Sequence, residues 1–168
     1  DSETSCPEFQ LGKARRLRMG RDVAILAYGS KAYSALEAAD TLQAEHLNVA
    51  VYSGRFAKPL DRELLSELLA SDIPILTVED HALAGGFGSA VLETAQELEP
   101  QGRRIHRLGI PDQFISHKSR GEQLAEVGID AAGIAKAVRK MLVKTETTGE
   151  HRLTQEEKPR RARGKVKS

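Results

Sequence analysis

Three short stretches of this chain combine charged side chains with glycines in a way that invites a chemical reading. Ser53-Gly54-Arg55-Phe56-Ala57-Lys58-Pro59-Leu60-Asp61 offers Arg55, whose guanidinium can hold a phosphate or carboxylate with two parallel bonds. Glu79-Asp80-His81-Ala82-Leu83-Ala84-Gly85-Gly86-Phe87-Gly88-Ser89 offers an acid–acid–imidazole trio followed by a glycine-rich run. A carboxylate beside a histidine tunes it towards neutrality, which suits proton transfer. Gly109-Ile110-Pro111-Asp112 is the third.

Each stretch is weaker as a catalytic motif than it first looks. Adjacent residues such as Glu79, Asp80 and His81 rarely converge on one ion, and His46, His106, His117 and His151 show no ligand spacing. No metal site is therefore assigned. Gly86-Phe87-Gly88 supplies two of the three dinucleotide-binding glycines, with Val91 where a small residue should allow close packing. No GxxxxGK[ST] phosphate loop and no GxSxG nucleophile elbow occurs. The simplest reading of Gly85, Gly86 and Gly88 is a tight turn that lets a helix start pack close to a neighbour. A free helix start there would still hold an anion. Glu79 and His81 then serve as helix caps or interdomain hydrogen-bonding groups, and Arg55 as an ion-pair partner.

The elements that must position these stretches are legible from periodicity. Lys13–Met19 reads as a polar strand, and Gly20-Arg21 turns the chain into Asp22–Tyr28, a buried strand. Lys31–Glu45 carries apolar residues at helical spacing. Leu47–Tyr52, Pro74–Val78 and Arg104–Leu108 read as further buried strands. Helices are expected over Asp61–Ala70, from the glycine run to Leu98, over Glu122–Glu126, and over Asp130–Leu142 with Asp130 as its N-cap. Strands alternating with helices predict a three-layer α/β fold: a mostly parallel sheet of about five strands, helices on both faces, and one antiparallel edge strand at the start. In such sheets ligands sit beyond the carboxyl ends of the strands, where all three stretches fall.

Composition bounds the rest. The 168 residues are 40% hydrophobic with no Trp, enough for one core of Leu, Ile, Val and Ala. No apolar run approaches the roughly 18–20 residues that cross a bilayer, so no membrane association is expected. The single cysteine, Cys6, lies in a polar leader and excludes an internal disulfide, which points to an intracellular chain. From Val143 onward eight Lys or Arg stand against four Glu, a tail of about +4 that leaves the remainder at −3 within the net +1. The expected organisation is a leader over 1–10, a folded domain over 11–142 and a disordered basic tail over 143–168. The acidic domain argues against specific nucleic-acid binding.

The loops, read in order, resemble a known family. Arg55-Phe56-Ala57-Lys58-Pro59-Leu60-Asp61, Thr77-Val78-Glu79-Asp80-His81-Ala82-Leu83, Gly85-Gly86-Phe87-Gly88-Ser89-Ala90-Val91 and Gly109-Ile110-Pro111-Asp112-Gln113-Phe114-Ile115 are similar to the last domain of the 1-deoxy-D-xylulose-5-phosphate synthases, a transketolase C-terminal-like domain. Leu11-Gly12-Lys13-Ala14 and Gly128-Ile129-Asp130-Ala131-Ala132-Gly133-Ile134 extend the likeness over about Phe9 to Leu142. Departures are Ser53-Gly54, where the family often has an acidic or amide residue and a small one, and His117-Lys118, where it often has His-Gly.

The resemblance implies an enzyme, a cytoplasmic homodimer, that decarboxylates pyruvate on thiamine diphosphate and joins the two-carbon unit to glyceraldehyde 3-phosphate. The product feeds isoprenoid, thiamine and pyridoxal synthesis. It also implies that Mg²⁺ and the cofactor are held by upstream domains through a GDG…N motif, absent from this chain, so none is bound here and no catalytic residue is assigned. The domain's implied task is packing against those domains, with Arg55, Glu79, His81, Gly85, Gly86 and Gly88 as interdomain or interface candidates. A transketolase, a 2-oxo-acid dehydrogenase beta chain and a free-standing α/β ligand-binding module remain the alternatives.

Overall fold

Val23–Ala27 (β2) is fully buried along its whole length, and the reason is that both faces of the strand are covered. Val23, Ile25 and Ala27 enter one apolar cluster, while Ala24 and Leu26 enter another. The computed structural model describes residues 9–71, 73–99 and 105–153, with side chains described through 143. Cys6 and Arg104 lie outside the described residues, as does the tail from 154 onward.

Around β2 the chain lays down Arg15–Arg18 (β1), Val49–Ser53 (β3), Ile75–Ala82 (β4) and Ile105–Ile110 (β5). The helices are Lys31–Gln43 (α1), Arg62–Ala70 (α2), Phe87–Leu98 (α3), Arg120–Glu126 (α4) and Ala131–Leu153 (α5). The sheet order is β1-β3-β2-β4-β5, parallel except for β1 against β3. Helices α1 and α5 bury Ala35, Ala38, Ala39, Leu42, Ile134 and Val138 against one face. Helices α2 and α3 bury Leu65, Leu68, Leu69, Val91 and Ala95 against the other. This is the expected three-layer arrangement with an antiparallel edge strand. Among the described residues no helix is long and apolar enough to cross a membrane.

The edge strand is attached across the sheet order. β1 pairs with β3, not with β2 that follows it, because both edges of β2 are already taken by β3 and β4. The turn at Gly20-Arg21 is pinned to the start of β3: Arg21 and Asp22 donate backbone N–H bonds to Asn48 O, each at 2.9 Å. Gly20 passes so close that an added Cβ would lie 2.1 Å from Ala50 N. Asp61 fastens the other end. One carboxylate oxygen caps α2 through Leu64 N at 3.1 Å, and the other accepts from Ala14 N at 2.9 Å.

Two elements run past their expected ends. β4 continues from Val78 to Ala82, so Glu79, Asp80 and His81 lie on a strand rather than in a loop. An irregularity makes this possible: Val78 pairs with Leu108 and Ala82 with Ile110, four positions of β4 against two of β5. Helix α5 packs on the core as far as Met141 and Leu142, then continues to Leu153. The helix thus runs past the end expected at Leu142. A helix already nucleated by packed residues gains one hydrogen bond for each residue it adds, and Lys144–Leu153 contains no proline to stop it.

Candidate functional site

At the carboxyl ends of the parallel strands the connections diverge. β2 leads into α1 on one face, and its neighbour β4 leads into α3 on the other, the arrangement that opens a crevice in α/β sheets. Arg55, Glu79, His81 and the glycine run are all brought to this edge, but they do not converge on one point.

Glu79 is fully buried. Its two carboxylate oxygens accept from the backbone N–H of Phe87, at 2.6 Å, and of Gly88, at 2.8 Å. These are orphan donors of the first turn of α3, and a carboxylate there also meets the positive end of the helix dipole. The helix start is thus occupied by the chain's own anion. The glycines make room for it. Gly85 holds φ at 72°, an added Cβ on Gly86 would lie 2.2 Å from Glu79 Oε2, and one on Gly88 would lie 2.5 Å from Thr77 Oγ1.

Ser89 and Arg107 complete the loop. Ser89 Oγ accepts from Gly85 N at 3.1 Å and donates to Leu83 O at 2.8 Å. Arg107 on β5 donates to the same Leu83 O and to Ser89 Oγ, both at 2.8 Å. Arg107 was not among the sequence candidates. Its signal was a charge inside a strand expected to be buried.

Asp80 pairs with exposed Arg120 at the start of α4, and His81 is exposed. Helix α4 begins with a reciprocal capping box between Ser119 and Glu122, and hydrogen bonds from the Ser119 hydroxyl and then from its backbone N–H hold the Glu122 carboxyl below its usual range.

Lys31 is the larger surprise. It opens α1 with only 2% of its surface exposed, and its ammonium makes one long bond, 3.4 Å, to Ile129 O. Burial pushes its pKa down from the usual lysine value; Asp80 and Asp130 partly oppose that, and Arg120 adds to it. A cation at a helix start also opposes the dipole. That misplaced charge was the only sequence signal. The sign of the linkage follows. Below its folded pKa Lys31 is charged in both states and the full desolvation penalty weighs on the fold. As pH rises from there towards the unfolded value, the unfolded chain binds more protons and stability increases. Lys31→Met should therefore raise stability by about 1–2 kcal/mol at neutral pH. Urea titrations should show that advantage shrinking as pH climbs towards 10.5.

Among the described residues no group of three or more His, Cys, Asp or Glu is placed to hold a metal ion. The strand-end edge contains buried caps, ion pairs and packed glycines, with no nucleophile held by a base.

Such a fold, with this ordered set of strand-end loops, defines a class. Residues 12–134 match the profile of the family described as Transketolase, C-terminal domain, and the chain belongs to that family. Within it the chain is 45% identical over 135 residues to 1-deoxy-D-xylulose-5-phosphate synthase of Geobacillus sp. (strain WCH70), covering 80% of this chain and 21% of that protein. It is 47% identical over 134 residues to the synthase of Syntrophus aciditrophicus (strain SB), covering 80% and 21%. The chain thus spans about a fifth of the length of these curated relatives. Among solved structures, a split-gene transketolase described as an inactive beta4 tetramer superposes with a TM-score of 0.74 at 35% identity, over 80% of this chain and 44% of that one. Transketolase from Leishmania mexicana, at 19% identity and a TM-score of 0.59 over 79% of this chain and 18% of that one, shares the fold.

Proposed function

We propose that this chain is the C-terminal domain of a thiamine diphosphate-dependent synthase that decarboxylates pyruvate and adds the two-carbon unit to glyceraldehyde 3-phosphate, yielding 1-deoxy-D-xylulose 5-phosphate. The observation that carries this reading is the likeness to synthases of that name, 45% over 135 residues and 47% over 134. The enzyme is a cytoplasmic homodimer, and this domain's task within it is to pack against the upstream domains.

The strand-end edge does not suit the cofactor. The α3 amides that would cradle a diphosphate are bonded to Glu79, whose own charge repels an anion. Thiamine diphosphate and Mg²⁺ are accordingly assigned to upstream domains, and no step of the reaction is assigned to a residue of this chain. Two kinds of residue serve the packing role. Arg55 and His81 present side chains at the edge. Glu79, Gly85, Gly86 and Gly88 fix the shape of the surface that is presented.

The test is turnover by the complete gene product. Pyruvate and glyceraldehyde 3-phosphate together should release CO₂ and give the deoxyxylulose phosphate. Transfer from xylulose 5-phosphate to an aldose acceptor, with pyruvate inert, would instead place the chain in a transketolase. The 35% identity to the split-gene transketolase keeps that second reading specific.

A further inference from the structure

Of the two candidates whose side chains lie open at the edge, Arg55 and His81, Arg55 alone also holds an unusual backbone conformation. Just before it, Gly54 is pressed against Phe87: an added Cβ would lie 2.6 Å from the ring. Held there, the chain leaves β3 through Arg55 with φ at 52°, in the left-handed region that non-glycine residues seldom adopt. Strain of this kind persists where the surroundings over-determine it, and it concentrates at functional positions. The guanidinium lies 5.3 Å from the centroid of the Phe9 ring, and Phe9 in turn lies 5.3 Å from Phe56 at a 59° tilt. Phe9 is 67% exposed. Elsewhere on the domain Arg18 pairs with Asp40, Arg62 with Glu97 and Arg139 with Glu45. Among the described residues Arg15, Arg16 and Arg21, like Arg55, have no such pair, but they lack its aromatic seat. The contact of the Arg55 guanidinium is the Phe9 ring.

We infer that Arg55, seated on the Phe9 ring, receives a carboxylate from the upstream part of the same enzyme packed against this edge, and that this contact couples the two. The inference rests on the reading that the chain is a C-terminal domain of a longer enzyme. A guanidinium held against a ring keeps the N–H donors along its edge for a two-pronged bond to a carboxylate. Arginine beside aromatic side chains is also the composition in which binding energy concentrates at interfaces. The occupant follows from length and position. About four-fifths of each curated relative lies outside the matched segment. The family is described as a C-terminal domain and its match opens at residue 12, three positions past Phe9. In the longer relatives the preceding chain therefore arrives beside this cluster.

The experiment uses the complete gene product with Arg55→Met and Arg55→Lys, which leave the backbone strain unchanged. A Glu3→Gln/Glu8→Gln variant accompanies them. The rate of protease cleavage just before Phe9, the KM for both substrates, and the urea midpoint of the 168-residue chain carrying each change are measured. Arg55→Met should speed cleavage by at least about tenfold, the loss expected when one partner of an interfacial charge pair is removed. Arg55→Lys should fall between Met and wild type. KM values and the midpoint of the chain alone should not move. Unchanged cleavage overturns the inference. So does a rise in KM for the phosphorylated substrate alone, which would make Arg55 a phosphate contact. A lowered midpoint in the isolated chain would make it a structural residue of this domain. An equal effect from the Glu3/Glu8 variant would place the carboxylate in the leader. Because cleavage does not depend on turnover, a product without synthase activity would sink the proposed reaction while leaving this readout intact.

Discussion

Replacing Glu79 with alanine should lower the stability of the domain by about 3–5 kcal/mol, enough to move its thermal midpoint down by about 10 °C. The magnitude follows from what is left behind. Phe87 N–H and Gly88 N–H point into a buried site and accept no substitute partner once the carboxylate is gone. Each charge-assisted bond to a buried donor is worth about 1.5–3 kcal/mol, and the dipole of α3 loses its counter-charge as well. For a domain whose whole stability is about 5–15 kcal/mol this is a large share. Glu79→Gln should cost roughly half as much, since one oxygen remains to accept and the amide faces the second N–H unfavourably. Circular dichroism through a urea series measures both. A loss below about 1 kcal/mol for the alanine variant would mean that the helix start finds another cap.

Gly86→Ala should be nearly as costly, about 2–4 kcal/mol, for a reason linked to the first. The new methyl group would sit 2.2 Å from Glu79 Oε2 and 2.3 Å from Ala82 O, so either the carboxylate or the backbone of β4 must give way. If the carboxylate moves, the caps of α3 go with it. The two changes therefore act on one arrangement. The Glu79→Ala/Gly86→Ala double variant should be about 1–2 kcal/mol less destabilised than the sum of the singles, because removing the side chain removes most of the clash. Additive effects would show that Gly86 answers mainly to Ala82 O.

What the sequence made legible, and what it did not, divides along the range of the interaction. The buried strand Val23–Ala27, the helix Lys31–Gln43 and the cap at Asp130 rest on neighbours in the chain, and periodicity reports them directly; Asp130 Oδ1 does accept from Gly133 N, at 2.8 Å. The close approach at Gly86 and Gly88 was also readable from residue type. For Glu79 the sequence offered a helix cap or an interdomain hydrogen bond, and the structure makes it the cap of α3. A charge after Pro74–Val78 reads as the end of a strand, and only the fold brings the α3 amides to it. The same glycines read first as a tight turn and only secondarily as a helix start open to an anion, and Glu79 closes that start from within. The partner of β1 depended on which edges of β2 were free, a property of the whole sheet. Lys31 looked like an ordinary polar opening to a helix, since its burial is imposed by Ile129 and the start of α5, almost a hundred residues away. Of the interface candidates, Arg55 and His81 end with side chains open at the edge, and no local pattern distinguishes such an arginine from a paired one.

The proposed role, a supporting domain of an enzyme whose cofactor is held upstream, has a direct test. Titration of thiamine diphosphate with Mg²⁺ into the 168-residue chain, beside the complete gene product, tests it most directly. Saturable heat is expected from the complete protein and none from the chain alone at the same concentrations. Tight, Mg²⁺-dependent binding by the chain alone would contradict it, and would require that Glu79 yield the start of α3 to a diphosphate.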